Sequence, residues 1–208
     1  MKRFLRVSMA SFLLLVSAFA FAASEAPPLD IVRTTTDSVL ARVKADKDTL
    51  RADPGKMFDL VSELIFPHFD FAIMAQWVLG DSWAGADEAT RTAFVDQFRK
   101  LLVRTYATAL LEFSDQTIGY PDIEPPAAAN TATVKQEISQ PGSESIPIVY
   151  RLHNKTGDWK VFDVSVDGVS LIKTYRASFA AAIKNDGLPA LIQNLEAKNQ
   201  QFAAAKTQ

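Results

Sequence analysis

The sequence predicts an α+β domain with helices packed on one face of a small antiparallel sheet. Three observations predict it. Helical periodicity fills the first half of the chain and its end, while period-two alternation is confined to residues 131–166 between them. Residues 87–113 form the longest uninterrupted helical pattern, free of Gly and Pro, around which the other segments can pack. The three strand patterns succeed one another through short turn signals, as in an antiparallel meander.

Taken in order, residues 1–23 carry Lys2, Arg3 and Arg6, an apolar run, and Ala20-Phe21-Ala22. Basic start, apolar middle and small-residue site make a signal peptide, cleaved near Ala22 or Ala23. A membrane anchor fits less well, because no stop-transfer flank follows, and no other segment approaches a span. Stable membrane insertion is therefore not expected. Removing the three leader cations changes 22 basic against 24 acidic residues to about 19 against 24, a balance that argues against nucleic acid as a partner. Residues 24–208 then form a single domain with room for a substantial core. There is no cysteine, so the core alone must stabilise a secreted chain, which suits the bacterial periplasm.

After an exposed start at 24–28, residues 29–50 read as an amphipathic surface helix of about five turns. It stops at Asp53-Pro54-Gly55, and Pro54 suits the first turn of a second helix reaching Ile65. Phe66-Pro67-His68 breaks that helix, since the residue before a proline is pushed out of helical geometry. Asp70 caps a short third helix that carries Phe71, Ile73, Met74 and Trp77 to Gly80, and a loop holding Trp83 follows. Aromatic residues are dense here. A filled core and a ligand cavity both account for that density.

Asp87 caps the long helix. Its first half is one-sided, with Phe94, Phe98, Leu101 and Leu102 opposite Arg91, Asp96, Arg99 and Lys100. From Leu101 to Phe113 it is apolar all round, so it must be buried on every side or line an apolar space. Residues 114–130 are mostly loop, with 116–120 as an edge strand. Strands at 131–139, 146–153 and 159–166 follow, the last placing Phe162, Val164 and Val166 on one face. Asp167-Gly168 ends the sheet. Ser170 caps a helix through Leu171, Tyr175 and Ile183 to the stop at Gly187, and a last helix spans 188–199 before a frayed tail.

Catalytic material is sparse. His68 and His153 are the only histidines, and neither has a second ligand-type residue at metal-site spacing, so no metal and no cofactor are expected. No phosphate loop, dinucleotide fingerprint or nucleophile elbow is present. Asp163 as a general base, or His68 in a cavity, keeps open a small periplasmic isomerase or hydrolase acting on an apolar substrate. A protein-interaction module with a filled core is a further alternative.

Several blocks carry a resemblance. The first is Phe66-Pro67-His68-Phe69-Asp70-Phe71, continuing through Val78-Leu79-Gly80, Trp83, Arg91, Phe94, Phe98, Leu101, Tyr106 and Leu110. The second is Gln140-Pro141-Gly142, Ile146-Pro147-Ile148, Tyr150, Leu152, Trp159-Lys160-Val161 and Asp163-Val164. The third is Asp167-Gly168-Val169-Ser170-Leu171 with Tyr175-Arg176, Phe179 and Gly187-Leu188. In order and spacing the chain resembles the MlaC family, also called the toluene-tolerance auxiliary family, from about Phe66 to Asn199. Asp81 departs from it, standing where many members have a basic residue.

The resemblance implies a non-enzymatic periplasmic carrier of phospholipid cargo, with acyl chains enclosed in a deep apolar pocket between helices and sheet. It implies exchange with an outer-membrane lipoprotein-porin complex and an inner-membrane ABC transporter complex, and a part in outer-membrane lipid asymmetry. Facing pattern then selects lipid-binding residues. They are Phe69, Ile73, Met74 and Trp77 from the short helix, and Val103, Tyr106, Ala107 and Leu110 from the long one. The sheet supplies Val134, Ile148, Tyr150, Phe162 and Val164, and the next helix Val169, Leu171 and Tyr175. Trp159, Asp163 and Arg176 are read as structural partners rather than ligand contacts.

Overall fold

The computed structural model describes residues 27–113, 116–121, 130–155 and 157–204; the predicted leader lies outside them. Helix α1 (Pro28–Ala45) buries Val32, Val39 and Val43 along one stripe. The chain turns at Asp46 into α2 (Lys47–Ala52), so the single long helix expected here is two. Asp46 Oδ2 instead takes the Arg42 guanidinium at 3.2 Å. Asp53 caps α3 (Pro54–Leu64) by accepting from Gly55 N–H at 2.8 Å. Residues Phe66–His68 form one 3-10 turn, and α4 (Phe71–Leu79) starts where Asp70 accepts from Ile73 N–H at 2.9 Å. The expected loop after Gly80 contains a short helix, α5 (Asp81–Gly85).

Helix α6 (Glu88–Leu111) begins at Asp87, whose carboxylate accepts from Thr90 N–H at 2.7 Å. That bond holds the Asp87 carboxyl below the usual carboxylate range. The strands are β1 (Thr117–Gly119), β2 (Thr131–Ser139), β3 (Ile146–His153), β4 (Lys160–Val166) and β5 (Val169–Ser170). They lie in sequence order, every neighbouring pair antiparallel. Strand β5 was not anticipated. Asp167 and Gly168 both have positive φ, 50° and 76°, so they turn the chain back in a two-residue hairpin whose twist matches the strands.

Ser170 then caps α7 (Leu171–Ala204), accepting from Lys173 N–H at 3.2 Å while its hydroxyl donates to Asp163 Oδ2 at 2.8 Å. Helix α7 is two arms broken at Gly187, whose φ of 81° and ψ of 165° are non-helical. The second arm runs past its expected end at Asn199, which is tied down by donating to the carbonyl and side-chain oxygens of Gln97, each at 3.0 Å.

Three apolar clusters result. The first joins α4, the first half of α6 and α7 through Met74, Phe94, Phe98, Phe179 and Leu191. A second joins α1, α2 and α3 to the second half of α6 through Val39, Val43, Met57, Leu60, Val103 and Ala107. The third lies between the start of α1 and the sheet, through Val32, Val134, Leu152, Val161 and Val164. Helix α6 therefore passes from one cluster to another along its length, which accounts for its change from a one-sided to an all-round apolar surface.

Candidate functional site

The clusters do not close on one another. Where they meet is a cavity of about 430 Å³ whose wall takes Phe71 and Met74 from the first, Val39, Val61, Val103 and Ala107 from the second, and Val32, Val161 and Val164 from the third. Such a volume falls in the range of roughly 300–1,000 Å³ typical of small-molecule sites. Helix α1 covers one side with Ile31, Val32, Thr35, Thr36, Val39 and Leu40, and α6 lines another from Leu102 to Leu110. Strands β2, β3 and β4 supply the floor. Tyr106 and Ile146 belong to the wall and are exposed, so the wall reaches the surface beside them.

Ten of the sixteen residues selected from sequence line this cavity: Phe69, Met74, Val103, Tyr106, Ala107, Leu110, Ile148, Tyr150, Val164 and Leu171. The structure places the other six elsewhere. Helix α4 turns Met74 inward, fully buried, and leaves Trp77 on the other side, 49% exposed, with Ile73 intermediate. Val134 is also fully buried, but within the third cluster rather than on the wall. Val169 is 59% exposed on β5.

Tyr175 packs edge-on against Phe98, with ring centroids 5.3 Å apart, inside the first cluster. It approaches the cavity only by facing the phenol of Tyr106, whose ionisation is pushed up by burial and by that neighbour.

Phe162 is displaced by a β-bulge. Leu152 pairs with Val161 and Arg151 with Asp163, so Phe162 is the extra residue and the alternation of β4 slips by one. Val161 and Val164 keep the cavity face. Phe162 instead lies under the Arg151 guanidinium at 5.0 Å, beside the His153 ring at 5.9 Å and the Trp77 ring at 6.3 Å. Regular period-two reading could not show this.

Sequence reasoning missed the contribution of α1. Its stripe of Ile31, Val32, Thr35, Thr36, Val39 and Leu40 repeats at helical spacing, which signals a buried face but not a cavity. It also missed Gln136, a polar residue pointing to the inner face of β2. Gln136 Nε2 donates to Thr36 Oγ1 at 3.0 Å and to Tyr120 Oη at 3.1 Å, and its Oε1 accepts from the Tyr150 hydroxyl at 3.0 Å. Burial pushes the ionisation of Tyr150 up.

Among the described residues the wall holds no Asp, Glu, Lys or Arg. His68 is its one imidazole, and partial burial, with Lys160 nearby, lowers its pKa from the ordinary value of 6.5. The cavity is therefore uncharged near neutral pH. Asp163, the other candidate for chemistry, lies away from it, buried and accepting from Arg151 Nη2 at 2.6 Å, the Ser170 hydroxyl at 2.8 Å and Ile172 N–H at 3.2 Å. His68 and Asp163 are not brought together at the cavity wall.

Arg99, on the outer side of the sequence pattern, stacks over Phe71 at 4.7 Å and Phe66 at 5.6 Å. Among the described residues no group of three or more His, Asp or Glu could hold a metal ion, and no helix is long and apolar enough to cross a membrane. A second cavity, about 470 Å³, has a mixed wall of Lys100, Arg104, Asp53, Asp59 and Glu196 beside Phe58 and Phe202. Charged groups of both signs therefore line it, unlike the cavity between the clusters.

Residues 33–197 match the family model described as MlaC protein. The chain is 28% identical over 179 residues to the toluene tolerance protein ttg2D of Pseudomonas putida, covering 84% of this chain and 82% of that protein. It is 23% identical over 178 residues to the intermembrane phospholipid transport system binding protein MlaC of Haemophilus influenzae, covering 84% and 83%. Among solved structures it is similar to the phospholipid-binding protein of Ralstonia solanacearum in complex with a phospholipid. That similarity has a TM-score of 0.79 at 34% identity and spans 86% of this chain and 99% of the other.

Proposed function

The chain belongs to the MlaC family, and on that premise we propose that it is a phospholipid carrier of the periplasm, reached after removal of residues 1–23. The acyl chains occupy the cavity between α1, α6 and the sheet, and the headgroup stays near solvent. The carrier shuttles lipid between an outer-membrane lipoprotein-porin complex and an inner-membrane ABC transporter complex, and so maintains outer-membrane lipid asymmetry.

One observation carries the reading. The cavity wall is apolar, uncharged near neutral pH and assembled from all three clusters, which is the surface acyl chains require. At about 0.8 kcal/mol per CH₂, two chains of roughly sixteen carbons cost on the order of 25 kcal/mol to expose to water. Enclosing them is a sufficient function without bond chemistry. The phospholipid-bound relative of the same fold supports the assignment.

Native mass spectrometry of protein purified without detergent tests the proposal. A bound mass that extracts as phospholipid is expected. Empty protein that also takes no lipid from vesicles would contradict it.

A further inference from the structure

The apolar cavity has one polar corner, and its hydrogen bonds are incomplete in a particular way. Both amide protons of Gln136 are used, on Thr36 Oγ1 and Tyr120 Oη, and the Tyr150 proton is used on Gln136 Oε1. In these bonds Thr36 Oγ1 acts only as an acceptor, so its own proton is not assigned by them. Thr35 Oγ1, one residue earlier and also on the cavity wall, is buried and has no hydrogen-bond partner among the described residues. Thr34, by contrast, is exposed and donates to the Asp30 carbonyl at 2.6 Å, satisfying its hydroxyl within the helix. A buried hydroxyl with no partner is costly.

We propose that Thr35, with Thr36 beside it, forms a subsite that donates hydrogen bonds to the carbonyl oxygen of an acyl ester. The chemistry of the corner selects that group. A hydroxyl can donate or accept, but the ester linkage of a phospholipid offers acceptors and no donor, so Thr35 and Thr36 meet it as donors. Among the described residues no Lys or Arg lines the cavity, so a phosphate or carboxylate placed there would be buried without a counter-charge, which is heavily penalised. A neutral ester carbonyl accepts without that penalty, and it is the polar atom nearest the acyl chains. This inference rests on the carrier reading and refines it: the cavity distinguishes how a chain is linked to glycerol, independently of the headgroup.

The experiment offers the protein vesicles containing equal amounts of a diacyl phosphatidylcholine and its dialkyl ether analogue with identical chain length, then measures the captured ratio by mass spectrometry. Wild type is expected to favour the ester about three- to tenfold, the worth of one neutral hydrogen bond. Thr35→Val abolishes the preference, and a cooperative thermal unfolding transition measured on the same sample reports that the variant is folded. Thr35→Ser and Thr34→Val retain it. Equal capture of both lipids by wild type, or an undiminished preference in Thr35→Val, overturns the subsite and leaves the carrier intact. Capture of neither lipid overturns the carrier reading and the subsite with it.

Discussion

His153 Nε2 stands 3.0 Å from Asp70 Oδ2, joining the end of β3 to the start of α4 across 83 residues of chain. Lys155 N–H donates to His153 Nδ1 at 3.3 Å, so the ring proton of the neutral imidazole sits on Nε2 and points at the carboxylate. Asp70 has two more tasks. Its Oδ1 caps α4 through Ile73 N–H, and its own N–H donates to the Val161 carbonyl at 2.9 Å. One residue therefore pins α4 to β3 and β4, and thereby sets Phe69, Phe71 and Met74 on the cavity wall.

Asp70→Ala removes the cap and leaves the imidazole, itself only 2% exposed, without its partner. The two losses together predict destabilisation of about 2–4 kcal/mol. Asp70→Asn keeps a capping oxygen and loses less. Urea unfolding of the three proteins measures the difference, and equal midpoints for Asp70→Ala and wild type would show that the junction contributes nothing.

Gly80 ends α4 with φ 54° and ψ −126°, and a Cβ there would meet Arg176 Nη2 at 3.2 Å. Backbone strain and that guanidinium both oppose a side chain, so Gly80→Ala should cost about 1–3 kcal/mol. Gly85 has open space around it, and Gly85→Ala should be near neutral. Thermal denaturation of the pair separates them; similar losses at both sites would contradict the argument.

The pKa of His68 is lowered in the fold, by burial first and Lys160 second. The unfolded chain accordingly binds the proton more readily. Stability is unaffected above the ordinary value of 6.5, falls as pH drops below it, and reaches its full penalty below the depressed folded value. His68→Gln removes this contribution, so its stability should fall less than that of wild type as pH drops below 6.5. Parallel curves from denaturant titrations at each pH would count against the shift.

The fold was legible because its elements announce themselves locally. Asp70 and Asp87 cap where residue type and the following apolar spacing said they would, and Gly187 breaks the last helices where the stop signal stood. The cavity was legible on α6, where apolar residues encircle the helix, and on the regular parts of β3 and β4. It was not legible where position depends on a neighbour. Phe162 left the wall because of a bulge against Arg151, and Trp77 because α4 presents Met74 inward. Helix α1 looked like a surface helix because nothing in its own sequence says that its stripe faces a gap rather than a filled core.

The placement of acyl chains beside α6 is tested most directly by lipid occupancy in two variants of opposite prediction. Ala107 is on the wall, and Ala107→Trp fills it, at a packing cost of about 1–3 kcal/mol. Trp77 is outside it, so Trp77→Ala spares the cavity. Native mass spectrometry of both, purified without detergent beside wild type, should show bound phospholipid sharply reduced in Ala107→Trp and unchanged in Trp77→Ala. Full occupancy in folded Ala107→Trp would contradict the assignment and place the lipid elsewhere in the protein.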